Sequence, residues 1–298
     1  LAARGHEVVV LSRHAGALEP GVRHTPWDGR SLGAWASEID GADAVINLAG
    51  RTVSCRYTEE NLRQMMDSRV ESTRVVGEAI AKAAAPPRVW LQMSTATIYA
   101  DRRDAPNDES TGIIGGHEPG VPGYWEYSVR IAQTWEATQL TADVPETRKV
   151  QLRAAMVMSP DRGGVFDVLL RMVRLGLGGP VAGGRQYVSW IHDEDFVRAV
   201  ELLLVREELS GPVNLAAPEP LPQRDLMRVL RRAWGQPVGL PATKWMAEIG
   251  AFALRSDTEL LLKSRRVVPG RLLDEGLEFA YGQWGAAAED LVRRVRSR

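Results

Sequence analysis

The chain has 298 residues, of which 44% are apolar and 25% are charged, the proportions of an ordinary soluble globular protein. Its formal net charge of −1 predicts no general attraction to nucleic acid or to an anionic membrane surface, and its longest apolar runs are too short to cross a bilayer. The single cysteine, Cys55, excludes an internal disulfide framework and a cysteine-based zinc cluster, so the composition is of a cytoplasmic type.

The opening stretch "LAARGHEVVVLSR" predicts the last turn of a helix, a turn at Gly5 and then an apolar β-branched strand over 7–13. It carries no signal-peptide pattern. Because a protein rarely starts in the middle of a βαβ unit, we expect further residues upstream.

Apolar strands then alternate with helical patterns, which predicts a parallel α/β sheet. Strands are predicted within 41–50, 86–95 and 149–160. A long amphipathic helix or a pair of helices is predicted over 58–83, and another helix from Tyr127 to Leu140. After Pro160 the pattern changes to glycine-rich and proline-rich loops between amphipathic helices. We therefore predict one region over 1–160 and a second over 161–298.

Three strand ends carry side chains or turns suited to binding. Ser12 and Arg13 end the first strand, where an arginine in a dinucleotide-binding sheet accommodates a 2′-phosphate, although a solvated loop arginine is the alternative. "NLAG" at 47–50 puts small residues where a backbone approaches a ligand, or simply makes a tight turn. The hydroxyls in "MSTATIYA" (93–100) follow a buried strand at the ligand-binding edge, or else cap the next helix.

The helix that begins within "PGYWEYSVRIAQTWE" carries two tyrosines without the lysine that some reductases place four residues later. Ser128 follows Tyr124 at that spacing, and Ile131 follows Tyr127. Arg130 is the nearest cation; it lies three residues after Tyr127, so the two side chains share a helical face.

The segment "SWIHDEDF" (189–196) clusters Trp190, His192 and three acidic residues. No second histidine lies at ligand spacing, so a metal site is not predicted. Asp195 as a helix cap with His192 hydrogen-bonded nearby is the alternative to a functional role.

In this order, "RGHEVVVLSR", "DAVINLAG", "STATIYA", "LRAAMVMSP", "RLGLGGPVAGGRQYVSWIHDEDF" and "GPVNLAAP" resemble the extended short-chain dehydrogenase/reductase superfamily. More narrowly, they resemble its atypical epimerase-family branch, which is sugar-nucleotide-epimerase-like and SulA-related. The resemblance implies a Rossmann-type doubly wound parallel sheet with a smaller C-terminal substrate-side α/β unit. It also implies a G-x-x-G-x-x-G turn, which we expect about thirty residues upstream on the spacing of a βαβ unit.

The resemblance further implies roles for individual residues. Arg13, assisted by Ser12, resembles the reader of the 2′-phosphate, which implies NADP as the cofactor. Residues on the adenine and ribose side would be Asn47, Leu48, Ala49 and Gly50. Catalytic residues would be Thr95 with Ser94, and Tyr127. The cofactor side would include Arg130 and Pro160, and the substrate pocket would include Arg185, Trp190 and His192. Aligning "TWE" (134–136) with the family's helix places Ser128 and Ala132 where the catalytic tyrosine and lysine usually lie.

Three functions remain open at this point. The first is an NADP-dependent oxidoreductase or epimerase acting on a small polar or sugar-like substrate. The second is an NADP(H)-binding protein without turnover, which the missing lysine favours. The third is a nucleotide-sugar epimerase proper. The helix over 58–83 is expected either to supply a homodimer face, as in the superfamily, or simply to cover the sheet.

Overall fold

The computed structural model describes residues 1–16, 18–120, 122–123, 125–243 and 259–298. Short strands alternate with longer helices through most of the chain, as the sequence pattern predicts. The strands are β1 (Val8–Ser12), β2 (Val22–Pro26), β3 (Ala44–Asn47), β4 (Val89–Thr95), β5 (Arg148–Ala154), β6 (Met156–Met158), β7 (Tyr187–Val188), β8 (Trp190–His192), β9 (Gly211–Leu215) and β10 (Leu221–Pro222).

A four-stranded sheet with the order β3-β4-β5-β9 forms the centre, and all its neighbouring strands are parallel. Parallel strands covered on both faces are near-continuous apolar runs, and this is why the sequence predicted them. The prediction of a Rossmann-type α/β fold is confirmed. β9 comes from beyond residue 160, so the sheet is not confined to the region predicted over 1–160.

The stretch predicted as one strand over 149–160 is two strands with different partners. β5 belongs to the central sheet, whereas β6 pairs in parallel with β8. The chain changes direction at Ala155, whose N–H donates to the carbonyl of Leu215 at 3.0 Å. The sequence pattern does not reveal this change, because only Ala155 separates the two strands and no turn residue marks the boundary.

β1 and β2 form a separate parallel pair. In the described residues no ladder joins β1 to β3, although Leu11 of β1 and Val45 of β3 pack against the same cluster around Trp35 and Trp90. Each of these two strands therefore leaves one edge unpaired in the part of the chain that the structure describes.

The helices are α1 (Glu59–Lys82), α2 (Trp125–Leu140), α3 (Val165–Arg174), α4 (Asp193–Val205), α5 (Gln223–Trp234), α6 (Glu259–Leu262), α7 (Gly270–Asp274) and α8 (Trp284–Arg296). The pattern over 58–83 is one helix, α1, which begins where the Thr58 side chain accepts a hydrogen bond from the Asn61 N–H. Among the described helices, none combines the length and the apolar character that a membrane span requires.

A row of three buried amides crosses the central sheet at equivalent positions. Asn47, Gln92 and Gln151 are register partners on β3, β4 and β5. The Asn47 amide donates to Gln92 Oε1 at 3.0 Å, and Gln151 donates to Gln139 of α2. The buried amides of Asn47 and Gln92 are thus paired with each other, and that of Gln151 is paired with α2.

The second half of the chain has its own core around Trp190 and Trp284, whose ring centroids lie 4.9 Å apart in an edge-to-face arrangement. Side chains of α3, α5 and α8 complete it, including Phe166, Leu230 and Leu291. This core attaches the smaller unit to β6 and β8.

The segment after α6 returns to the central sheet. The Arg265 N–H donates to the Tyr187 carbonyl at 2.8 Å. The Asn107 N–H donates to the Arg266 carbonyl at 2.6 Å, and the Asn107 carbonyl accepts from the Val268 N–H at 3.0 Å. Residues 263–268, which we call the return segment, therefore lie beside the loop that follows β4. Distant parts of the sequence meet at the carboxyl end of the sheet.

Candidate functional site

The carboxyl ends of the parallel strands form one edge, where open α/β sheets bind ligands. Asn47 ends β3, and Thr95 ends β4 opposite Ala154 of β5. The Asn47 side chain also accepts a hydrogen bond from the Ala49 N–H at 3.0 Å, which fixes the turn. Leu48 and Gly50 are exposed on that turn, so its backbone is accessible.

Ser12 and Arg13 stand at the end of β1. The Ser12 hydroxyl donates to the His14 carbonyl at 2.8 Å and lies 3.0 Å from His24 Nε2. Arg13 is exposed, and no ion pair involves it within the described residues. Its guanidinium is therefore available to a ligand, and its predicted role remains a prediction.

Ser94 and Thr95 point to opposite faces because side chains alternate along a strand. The buried Ser94 hydroxyl donates to Glu136 Oε1 at 2.6 Å, so it belongs to an internal network. Thr95 is only partly buried, and its hydroxyl accepts a hydrogen bond from the Thr97 N–H at 3.2 Å. Of the two hydroxyls predicted for catalysis, the structure leaves Thr95 at the edge and withdraws Ser94 from it.

The network beneath Ser94 was not predicted from the sequence. Arg153 donates to both carboxylate oxygens of Glu136, at 2.9 and 2.8 Å, and to the Tyr99 hydroxyl at 3.0 Å. Tyr99 in turn donates to the Asn214 side chain at 2.9 Å, and burial raises the pKa of the Tyr99 phenol. An arginine inside the apolar strand "VQLRAA" is the signal that could have indicated a buried ion pair.

Tyr127 and Arg130 meet on the outer face of α2, as the helical spacing predicts. The Arg130 guanidinium lies 4.4 Å from the centre of the Tyr127 ring. The other tyrosine considered, Tyr124, lies outside the described residues. The buried face of α2 presents Ser128 and Ala132 instead.

A lysine from the return segment approaches this buried face. Lys263 Nζ donates to the Thr97 carbonyl at 3.0 Å and lies 3.6 Å from Glu259 Oε1, while Ser128 donates to Glu259 Oε2 at 2.6 Å. The Lys263 side chain is 1% exposed, and its burial lowers the pKa of the ammonium group. Arg265 adds a bond from Nε to the Thr97 hydroxyl at 3.2 Å.

Arg69 of α1 is a buried guanidinium behind the Asn47–Gly50 turn. In the part of the chain that the structure describes, its donors bind backbone carbonyls, those of Met65 at 2.9 Å and Arg51 at 3.1 Å, and it stacks 4.9 Å from the centre of the Trp135 ring. A Cβ atom on Gly50 would lie 3.4 Å from the Arg69 guanidinium carbon. Within the described residues no carboxylate pairs with it, and burial lowers the pKa of Arg69.

Comparison with known proteins identifies the family of the chain. A family model described as "NAD dependent epimerase/dehydratase family" matches residues 1–216. The chain belongs to this family. A second model, described as a domain of unknown function (DUF1731), matches residues 243–291, which include the return segment.

Relatives within the epimerase/dehydratase family align over almost the whole chain. The human epimerase family protein SDR39U1 is 30% identical over 98% of this chain and 93% of its own length. The epimerase family protein YfhF of Bacillus subtilis (strain 168) is 25% identical over 98% of this chain and 92% of its own length. The predicted membership of an atypical epimerase-family branch is confirmed.

Solved structures of the epimerase/dehydratase type agree. The crystal structure of human SDR39U1 (isoform 2) with NADPH has a TM-score of 0.83 and 28% identity, covering 98% of this chain and 93% of that one. A nucleoside-diphosphate sugar epimerase from Corynebacterium glutamicum has a TM-score of 0.72 and 25% identity, covering 97% of this chain and 53% of that one.

Two residues predicted to line a substrate pocket in this epimerase-family chain are core residues instead. Trp190 is fully buried, and its ring nitrogen donates to the Glu219 carbonyl at 3.1 Å. His192 is also fully buried and lies 3.2 Å from Asp290 Oδ2. The motif that identifies the family here serves packing, because a strand that enters the second core must be apolar or internally paired.

The alternative prediction for this segment is that Asp195 caps a helix. A cap is present at the start of α4, but another residue provides it. His192 itself caps α4 by accepting from the Glu194 N–H at 3.2 Å, and its ring stacks 3.9 Å from the Tyr281 ring. Asp195 lies one turn further and accepts from the backbone N–H groups of Ala280 and Tyr281, at 2.7 and 2.9 Å.

The remaining predicted residues stand apart from one another. Pro160 is buried, and its carbonyl accepts a hydrogen bond from Arg298 at 3.1 Å. Arg185 is exposed on the loop before β7. Across the described ranges no group of three histidine, cysteine or acidic side chains is placed to hold a metal ion.

Proposed function

We propose that this chain binds NADP(H) at the carboxyl edge of the parallel sheet and acts there as an oxidoreductase or epimerase-like enzyme on a small polar or sugar-like substrate. Bound nicotinamide would supply the hydride chemistry, and the protein would orient it. The crystal structure of the human relative with NADPH supports the choice of cofactor.

The observation that carries the proposal is the buried Arg69 guanidinium behind the Asn47–Gly50 turn. A buried charge without an opposite charge is costly, so a site of this kind is expected to receive an anion. The exposed turn leaves its backbone open to a ligand. Gly50 has no side chain between the turn and the guanidinium, since an added Cβ atom would lie 3.4 Å from the guanidinium carbon. We infer that Arg69 stabilises a phosphate group of the dinucleotide, with Arg13 reading the 2′-phosphate at the end of β1.

Thr95 is the group that we assign to the reacting oxygen of the substrate. Its hydroxyl accepts from the Thr97 N–H, so its own proton remains available to a substrate oxygen. A hydroxyl held by a backbone donor and aimed from the strand end can polarise a carbonyl. The roles of Tyr127 and Ser94 in catalysis have no comparable support from the contacts described above.

A second candidate, NADP(H) binding without turnover, is favoured by one specific observation. The buried face of α2 presents Ser128 and Ala132 at the positions where the family's proton relay places tyrosine and lysine. The same observation counts against a nucleotide-sugar epimerase, because epimerisation requires a group that serves as both acid and base.

The cofactor assignment is tested by titrating NADPH and NADH while following nicotinamide fluorescence. We expect NADPH to bind more tightly than NADH, and Arg13→Gln to weaken NADPH about tenfold through the loss of a charge-assisted hydrogen bond while leaving NADH unchanged. Arg88→Gln is the matched control, since Arg88 is an exposed arginine at the opposite end of β4. Equal loss for both cofactors in Arg13→Gln would contradict the assignment.

Turnover separates the two candidates. If the protein consumes NADPH in the presence of a carbonyl substrate, and the Thr95→Val variant does not, a purely binding role is excluded.

A cytoplasmic setting and a homodimer formed through α1 complete the proposal. The ion pair between Arg74 and Glu78 on the outer face of α1 is compatible with either a solvated or a subunit-facing surface.

A further inference from the structure

Helix α6 and the return segment bring a charged pair to the buried face of α2, which lacks the tyrosine and lysine of the family's helix. Ser128 donates to Glu259, Glu259 lies beside Lys263, and Lys263 donates to the Thr97 carbonyl. The Thr97 N–H in turn donates to the Thr95 hydroxyl. A continuous polar chain thus connects α2 with the strand end through residues from the C-terminal part of the sequence.

Ala132 stands at the position where the family's helix usually carries its lysine, so α2 itself supplies no positive charge there. Its methyl group is fully buried among Ala96, Ile98 and Val129, so no long side chain from α2 reaches this position. Lys263 enters with its ammonium 6.0 Å from the centre of the Trp125 ring at the start of α2. The ammonium therefore donates to a carbonyl and lies near a carboxylate and an aromatic ring.

We propose that Lys263 is a positioning residue that supplies, from the return segment, the positive charge that α2 lacks beside Thr95. This inference rests on the proposed function, since it concerns the same nicotinamide site. Its ammonium favours the neutral reduced nicotinamide ring over the positively charged oxidised ring. Its hydrogen bond to Thr97 also holds the turn that orients Thr95.

The charge on Lys263 depends on pH in a defined direction. Burial has the largest effect and lowers the pKa of Lys263. Glu259 of the preceding helix α6 and Glu118 from the loop after β4 favour the charged form, while Arg265 opposes it. Asp101 also faces it from the same loop. Because the pKa is lowered, the ammonium loses its proton earlier on alkaline titration than a free lysine does, and its effect is lost as the pH rises through that value.

The test is the ratio of the dissociation constants of NADP⁺ and NADPH, measured between about pH 7 and pH 10. In the unsubstituted protein the ratio should favour NADPH near neutrality and fall as the pH rises. Lys263→Met should lower the ratio about tenfold near neutrality, as expected for the loss of one charge at an effective dielectric constant of about 20. It should also remove the part of the pH dependence of the ratio that comes from Lys263. Lys263→Arg should keep the ratio high across the range, because arginine does not titrate there.

Lys82→Met is the matched control, since Lys82 is an exposed lysine at the C-terminal end of α1 and should leave the ratio unchanged. If Lys263→Met does not fold, Glu259→Gln tests the same point, because removing the carboxylate should move the pH dependence to lower pH. A folded Lys263→Met with an unchanged ratio would overturn this inference alone. Absence of NADPH binding by the unsubstituted protein would overturn the proposed function, and the inference with it.

Discussion

A Glu136→Gln variant is expected to unfold with a free energy about 3–5 kcal/mol lower than that of the unsubstituted protein. The substitution keeps the shape of the side chain and removes its charge. Arg153, whose side chain is 10% exposed, would then be left buried without an opposite charge. Ser94 would also lose its carboxylate acceptor. Urea unfolding followed by circular dichroism measures the difference.

Two further variants separate the buried pair from charge in general. Glu78→Gln removes a carboxylate from the exposed pair with Arg74 and should leave the urea midpoint almost unchanged. Replacing both buried partners, Glu136→Leu with Arg153→Met, should recover much of the loss, because no unpaired charge remains. If Glu136→Gln unfolds like Glu78→Gln, the network does not stabilise the fold in the way described.

Arg69→Met is expected to weaken NADPH binding about 30-fold, the equivalent of about 2 kcal/mol for a hydrogen-bonded charge. The same variant should unfold with a free energy about 1 kcal/mol higher in the absence of cofactor, because it removes a buried charge that lacks a carboxylate partner. Methionine has a similar length and packs well against an aromatic ring such as that of Trp135. Binding and stability should therefore change in opposite directions.

The control for Arg69 lies on the same helix. Arg74→Met removes an exposed guanidinium and should change neither NADPH affinity nor stability appreciably. The measurements are a fluorescence titration and urea unfolding of the cofactor-free protein. An Arg69→Met variant that binds NADPH normally would show that the guanidinium is structural and that the anion site lies elsewhere.

The sequence predicts the central elements well because their signal is local. Runs such as "DAVINLAG" and "PPRVWLQMST" give β3 and β4, and the pattern over 58–83 gives α1. The match of Tyr127 with Arg130 also follows from helical spacing alone. In each case the deciding residues lie within a few positions of one another.

The site is harder to predict because its partners are distant in sequence. Lys263 reaches Thr97 from 166 positions away, and Glu259 reaches Ser128 from 131 positions away. Nothing in the local pattern links these residues. His192 and Trp190 were misplaced for the opposite reason: a family motif marks them, but only the packing of β8 against α8 shows that they are interior.

The row of amides across β3, β4 and β5 has a consequence for how the strands find their alignment. An apolar strand between apolar neighbours can slide along them with little change in burial, whereas a buried amide must meet its partner. If β4 slipped by one residue, Gln92 would turn to the opposite face and Asn47 would lose its acceptor. The bond between Asn47 and Gln92 thus favours the native register of β3 and β4 during folding.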